Sequence, residues 1–420
     1  MKGRAQWAQT AAAGLALCLV AAATAFDGGG PLRRPLVIGA VYPLSGPQAP
    51  GGREELAGVR TALALAGGDL SPRRVELRVV DAGTPAQARA AIDRLVEVDH
   101  VPIVIGTYGS TLSEAASARA DELRTVYWET GAVADDVTRN RRYVFRTVAT
   151  GGSLGRIAVE FTSRVLVPAS GPPTSATAAI VEVDDAYGRA VADAEAAAAA
   201  GAGIRVVDRV VYDPHAYDAD AIAARVAAAR PDYLWDVSYI DDGIAIWREI
   251  VSRKVQLRGV IGTSSAFCME EFGRALGADA VGVYAADKPY ASEVSAAALS
   301  PAGRGLLDEA VVLYRAHNGG TEMTIPAVAG FVGGWTLFHD VIPHVRGAVT
   351  ADALRTAAAK VDVPVGAEIN GGGVRFAEEG APDAGQNLRA AAVVGQWLRV
   401  NDMAVVYPPA YATARPRIPA

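Results

Sequence analysis

Short apolar runs alternate along this chain with longer stretches whose apolar residues recur every three or four positions. These are the periods of buried strands and of amphipathic helices. The pattern predicts strands at 35–41, 75–80, 101–105 and 125–128, separated by helices at 53–66, 85–98 and 112–123. A short extended run at 143–147 leads into a helix at 153–165 and a loop at 168–175. The alternation then restarts, with strands at 178–183, 204–211, 233–237 and 259–261 and helices at 190–202, 219–229 and 243–252. After Tyr284 the pattern turns helical, at 303–317, 327–341 and 350–359. Short strands are expected at 374–376 and 403–407, while 389–397 suits either a strand or a short helix. Two successive blocks of alternating strand and helix, parting near residue 150, predict an α/β chain with two mostly parallel sheets covered by helices on both faces.

The N-terminus adds a destination. Lys2 and Arg4 precede a small-apolar run at 11–23, and Ala23-Thr24-Ala25 is an A-x-A cleavage site. Residues 1–25 are therefore read as a secretory signal peptide cut before Phe26. The run is shorter than the ~18 residues a membrane span needs. Cys18 follows the bulky Leu17 and more apolar residues come after it, so lipid anchoring is not expected. The expected location is the periplasm or the outer side of the cytoplasmic membrane. No second span is read in the remainder. A net charge of -6 speaks against a nucleic-acid partner. After cleavage Cys268 is the single cysteine, so no internal disulfide can form; it is read as a core residue.

Other chemistry is not visible. His100, His215, His317, His339 and His344 lack metal-ligand spacing. There is no Gly-x-Ser-x-Gly elbow, phosphate loop or dinucleotide motif, so no cofactor, metal or catalytic residue is expected. Asp184-Asp185 are loop neighbours without the opposed geometry of a catalytic pair.

Five local patterns occur in order after the signal. They are Ile38-Gly39 with Pro43-Leu44-Ser45-Gly46, Val104-Ile105-Gly106-Thr107-Tyr108-Gly109-Ser110-Thr111, Tyr143-Val144-Phe145-Arg146-Thr147, Asp184-Asp185-Ala186-Tyr187-Gly188, and Tyr407-Pro408 with Ala412-Thr413. With them the chain resembles the periplasmic leucine/isoleucine/valine-binding protein family, the type I solute-binding proteins of ABC transporters. The resemblance implies the type I periplasmic-binding-protein fold: two doubly wound parallel-sheet lobes joined by three crossovers, closing on a ligand in the cleft. By that likeness lobe 1 holds residues 35–148 with 286–360, and lobe 2 holds 149–285 with 361–408. The Pro- and Ala-rich tail at 409–420 is expected to be loosely attached.

Ser110 and Thr111 sit between a strand end and a helix start, where free N–H groups and the helix dipole attract a carboxylate. The resemblance puts the family's carboxylate-binding serine on Ser110; a plain N-cap is the simpler reading. It also sets the loop of Trp128, Glu129, Thr130 and Gly131 against the ligand. Val133 stands there where many members have a hydroxyl. Glu129 could accept from an ammonium or amide or be a surface carboxylate, and Trp128 could stack on a ligand or pack the core. From the second block, Tyr187 matches the family's loop, and Tyr239, Asp241 and Asp242 follow a strand end, where the aspartates could equally be helix caps. Ser264 aligns where amino-acid binders carry a Glu for the ligand's ammonium. Either Glu129, Asp241 or Asp242 replaces that charge, or the ligand has no α-amino group; the family's habit leans toward an amino acid. The expected function is the solute-binding component of an importer, not an enzyme. It would take an amino acid or related small amide or carboxylate and hand it to an inner-membrane ABC permease complex. A ligand-sensing subunit of the same fold, signalling to a membrane partner, is the alternative, and an exported α/β enzyme a remote third.

Overall fold

A computed structural model describes residues 35–71, 73–169, 176–289 and 294–418. The expected signal peptide and most of the loop expected at 168–175 lie outside the described residues. The apolar runs form two sheets. The first contains β1 (Leu36–Tyr42), β2 (Val75–Asp81), β3 (Ile103–Gly106), β4 (Val126–Glu129) and β5 (Val144–Arg146), in the order β2-β1-β3-β4-β5. All its pairings are parallel. Strands such as β3, apolar throughout, are buried on both faces, as a helix-covered parallel sheet requires. The second sheet contains β6 (Ala176–Val183), β7 (Ile204–Tyr212), β8 (Tyr233–Val237), β9 (Gly259–Thr263), β10 (Tyr284–Asp287), β11 (Val393–Arg399) and β12 (Asp402–Tyr407). Its order is β12-β11-β10-β9-β8-β6-β7, and only β11 runs against the rest, pairing antiparallel with both β10 and β12. Each sheet thus reverses its strand order once, between β1 and β3 and between β6 and β8. Such switch points open crevices at the carboxyl ends of the strands.

Helices α1 (Ala49–Leu65), α2 (Pro85–Asp93) and α3 (Ser110–Glu122) cover the first sheet. Helices α4 (Gly151–Phe161), α5 (Val167–Ala169), α6 (Ala186–Ala202), α7 (Ala219–Ala229), α8 (Ile240–Ser252), α9 (Ser264–Phe267) and α10 (Glu270–Leu276) follow in the second block. The chain then returns with α11 (Pro301–His317), α12 (Ile325–Trp335) and α13 (Ala351–Ala358), whose apolar faces join the core of the first sheet. The helical run Ile325–His344 is long and apolar enough to cross a membrane, but 83% of its most apolar window is buried inside the protein, which makes it a core helix. It lies against α1 at unusually close range. A Cβ on Gly58 would sit 1.9 Å from the Ala327 carbonyl oxygen, and one on Gly330 2.0 Å from that of Glu55. Only glycine permits this crossing, and the crossing drives Glu55 inward.

Two crossing segments run side by side. Arg146, fully buried, donates from Nε to Gln386 Oε1 at 2.6 Å and also bonds the Ala134 carbonyl. Asn387 Nδ2 donates to the Thr147 carbonyl at 2.8 Å. Burial pulls the Arg146 guanidinium down to about 10, still charged at neutral pH.

Four expectations change. Tyr284–Asp287 is a strand, where a helical pattern was expected to begin; four residues paired on both sides are too few to show a period. The ambiguous stretch at 389–397 becomes β11 only from Val393. Val361, Ile369, Val374 and Phe376 pack in the core of the first sheet, although 361–408 was assigned to the second lobe. We propose that the last crossing lies at 388–392. The tail is held, not loose, through Arg417. Arg417 exchanges bonds with Gln396, its N–H giving 2.8 Å to Oε1 and its carbonyl receiving 2.7 Å from Nε2, and Ile418 packs on the core.

The helix crossing is testable with two glycines. Gly58→Ala should destabilise by ~2 kcal/mol or more, through overpacking against backbone. Gly305→Ala, on exposed α11 with no atom within 4 Å of the new Cβ, should stabilise by about 0.5–1 kcal/mol. Denaturant melts of both variants measure it; equal effects would show that the close crossing is not limiting.

Candidate functional site

The two switch points face each other. From the first sheet, the loop after β3 leads into α3, whose first-turn amides have no helical acceptor. From the second, the loops after β6 and β8 carry Asp185 and Tyr239. Thr111 Oγ1 donates to Asp185 Oδ2 at 3.1 Å, and Tyr239 OH donates to the same oxygen at 2.6 Å. Asp185 Oδ1 meanwhile caps α6 through Gly188 N–H at 2.9 Å. The two sheets' carboxyl edges are thus closed on each other.

Glu129 organises the first side. It is fully buried, yet five donors meet it. Gly131 and Ala132 N–H reach Oε1 at 2.6 and 2.7 Å. Thr107 N–H and Tyr127 OH reach Oε2 at 3.2 and 3.3 Å, joined there by the Ser113 hydroxyl. Burial raises its pKa, while Ser113 and the three amides pull the other way. Its lone pairs are spent on its own protein, which corrects its expected part as a counter-charge for a ligand. Beside it, Ser110 Oγ accepts from Val133 and Ala134 N–H at 3.3 and 3.0 Å. No acceptor for its own hydrogen appears among the described residues.

Of the two readings of Trp128, packing in the core is the one its surroundings fit. Strand alternation turns it to the opposite face from Tyr127 and Glu129. It is buried in the core, donates from Nε1 to the Gly333 carbonyl at 2.8 Å, and packs against Phe145 and Phe376. Thr130 is buried between Tyr42 OH, at 2.8 Å, and Glu55. Gly131 lies at the cleft, where a Cβ would fall 1.8 Å from Glu55 Oε2.

On the second side, Tyr187 is buried, with its hydroxyl 2.8 Å from the Thr263 carbonyl and its ring 5.4 Å from that of Tyr239. It holds the turn into Ser264, which is 5% exposed and adopts φ 33. The aspartate pair separates. Asp241 is exposed, while Asp242 is buried and bonded to Tyr212 OH, on the outer strand β7. Among the described residues neither forms a hydrogen bond with Ser110, Gly131 or Ser264. Among the described residues no group of His, Cys, Asp and Glu is arranged for a metal.

Four site residues were missed in the sequence: Glu55, Tyr108, Asp185 and Lys288. Tyr108 is 9% exposed, its ring lies over Gly51 and its hydroxyl bonds Ser265. Lys288, 6% exposed, follows β10; its Nζ is 3.2 Å from Asp287 Oδ1, 3.5 Å from the Gly131 carbonyl and 3.5 Å from Ser264 Oγ. Burial lowers its pKa, and the neighbouring Asp287 carboxylate works the other way, the net direction being upward. Glu55 lies on the apolar stripe of α1 with Val59 and Ala62, an irregularity visible in the sequence. Its Oε1 takes the Thr130 hydroxyl, and its Oε2 has no partner. Burial, then the charge of Glu129, push its pKa up to about 8.

A family model described as periplasmic binding protein matches residues 35–396. Leu/Ile/Val-binding protein homolog 8 of Brucella abortus (strain 2308) is 28% identical over 386 residues, covering 90% of this chain and 92% of that protein. The leucine binding protein LivK of Thermotoga maritima is similar in structure, with a TM-score of 0.75 at 18% identity over 88% of this chain and 97% of the other. A solute binding protein of R. palustris, solved in complex with benzoate, gives 0.73 at 19% identity over 91% and 98%. At these identities the structural likeness speaks for the fold.

The Glu55 proton has a consequence for stability. An unfolded Glu releases it near pH 4.3, the folded chain only near 8. Between these values the unfolded state binds fewer protons, so stability falls as pH rises, by up to about 1.4 kcal/mol per unit. Glu55→Gln removes the titration. Its stability relative to wild type should therefore rise between pH 5.5 and 7.5, on the order of 2 kcal/mol. Denaturant melts at the two pH values measure this, and a constant difference would refute a protonated Glu55.

Proposed function

This chain belongs to the periplasmic binding protein family, in its leucine/isoleucine/valine-binding group of type I solute-binding proteins, and on that premise we propose that it is the exported receptor of an ABC importer for a small organic carboxylate. The family and the fold are those of substrate-binding proteins, not of enzymes. The solute enters between the two switch points, the lobes close over it, and the closed form docks on a membrane permease. The signal-like residues 1–25 support export.

One observation carries the carboxylate: the Ser110 hydroxyl. It is pinned by two amides through its lone pairs, keeps its hydrogen free, and stands at the N-terminus of a 13-residue helix facing the other lobe. Donors fixed in advance, beside a positive helix end, favour an anion over a neutral group. Leucine and benzoate, named for two of the similar structures, both carry a carboxylate. The Thr111–Asp185 bond supports closure, because it joins the edge of one sheet to that of the other.

A carboxylate that binds should raise the melting temperature of the full chain, since it stabilises only the folded form, and should compact it in small-angle scattering. Ser110→Ala should weaken that carboxylate by about 1–3 kcal/mol, the scale of a hydrogen bond to a charged group. The corresponding amide should lose much less. Equal losses for acid and amide would remove the anion from this end of the cleft, and unchanged scattering with a tight ligand would refute closure.

A further inference from the structure

The charges that line the cleft are unevenly committed. Asp185 is engaged by Thr111, Tyr239 and the Gly188 amide. Glu129 is surrounded by five donors. Asp287 is paired with Lys288 and takes the Cys268 thiol at 2.7 Å. Glu55 has a free oxygen but holds its proton at neutral pH. Among the described residues, the one of these carboxylates with an oxygen outside any hydrogen bond and still ionised is Asp287, and that oxygen faces the Lys288 ammonium at 3.2 Å.

The cation is less fully used. Lys288 Nζ lies between the two lobes, with the Gly131 carbonyl of one and the Ser264 hydroxyl of the other both at 3.5 Å, the outer limit of a hydrogen bond. Those neutral oxygens are the acceptors an amino group in the cleft would need. The lysine already occupies them with a positive charge, anchored from behind by Asp287. An ammonium entering here would have to compete for the same oxygens and sit beside a like charge under conditions of little solvent. An oxygen would instead gain a charged donor from Lys288. Glu55, which holds its proton at neutral pH, sets its unpartnered Oε2 beside Gly131 as a second polar group at this point.

We propose that Lys288 takes the place an α-amino group would fill, so that the solute is a carboxylate bearing an oxygen or no substituent there, such as a 2-oxo, 2-hydroxy or unsubstituted acid. This rests on the reading of the cleft as a carboxylate site. It differs from the expectation drawn from the sequence, which leaned toward an amino acid and looked for its counter-charge in Glu129, Asp241 or Asp242.

Calorimetry at pH 7 on the full chain decides it, using matched sets: phenylalanine, phenylpyruvate and 3-phenylpropanoate, then leucine, 4-methyl-2-oxopentanoate and 4-methylpentanoate. In wild type an amine-free acid of at least one set should bind at least tenfold tighter than its amino acid. Lys288→Met should lose at least tenfold for the 2-oxo acid and narrow the preference, and Lys288→Arg, which keeps the charge, should retain it. An amino acid that binds wild type as tightly as its amine-free partners overturns the proposal while leaving the carboxylate site intact. So does an unchanged preference in a Lys288→Met protein that melts as a folded chain. Should Lys288→Met not fold, the wild-type and Lys288→Arg comparisons still decide. No binding by any member of either set would overturn both the carboxylate site and this proposal.

Discussion

The site depends on one buried carboxylate. Glu129 lies at the end of β4 with no access to water, and a buried carboxyl is tolerated only when hydrogen bonds replace its hydration. The donors come from four places: the loop after β3, the first turns of α3, β4 itself through Tyr127, and the loop after β4. Satisfying Glu129 therefore fixes these segments relative to one another. The same loop then presents the Val133 and Ala134 amides to Ser110, whose Oγ accepts from both. A residue that looked like a ligand contact is the reason the contacts next to it have a defined shape.

A second acid is buried for a different reason. Glu55 lies on the apolar face of α1, and the glycine-lined crossing with α12 brings that face close to its neighbour. With only the Thr130 hydroxyl on one of its oxygens, it lacks the set of donors that surrounds Glu129. The two acids are close enough to oppose each other's ionisation, and the one with fewer donors keeps the proton. Lys288 then stands as the cation of the cleft, its Asp287 partner beside it. The cleft proposed as the recognition surface thus combines a helix N-terminus, a hydroxyl, an ammonium and a neutral acid, where a zwitterionic ligand would need acceptors for its other end.

Closure and hinge use separate chemistry. At the cleft mouth the lobes share the hydroxyl-to-carboxylate bond from Thr111 to Asp185, whose carboxylate Tyr239 also holds from its own lobe, and water can replace that bond at modest cost. At the crossovers the strands are stitched by buried groups, Arg146 with Gln386 and Asn387 with Thr147, which have no such alternative. Motion is cheap at the first place and expensive at the second, as two lobes that open about a fixed hinge require.

By itself the sequence determined the elements and their order. Apolar runs of strand length, glycine-bounded turns and helical periods are local properties, and they carried the α/β class, the two blocks and the strand ends where Ser110, Thr111, Tyr187 and Tyr239 lie. It did not decide β10 or the attachment of the tail, because four residues show no period and Gln396 meets Arg417 only across the sheet. Nor did it decide which polar residues face a ligand. Glu129, Asp242 and Trp128 look available in a strand or helix written out in line; their partners, Thr107, Ser113, Tyr212 and Gly333, come from elsewhere in the chain. Glu55 and Lys288, more than 200 residues apart, become neighbours only when two sheets close. Whether a buried charge is spent or available depends on its three-dimensional neighbours, and only the tertiary structure supplies those.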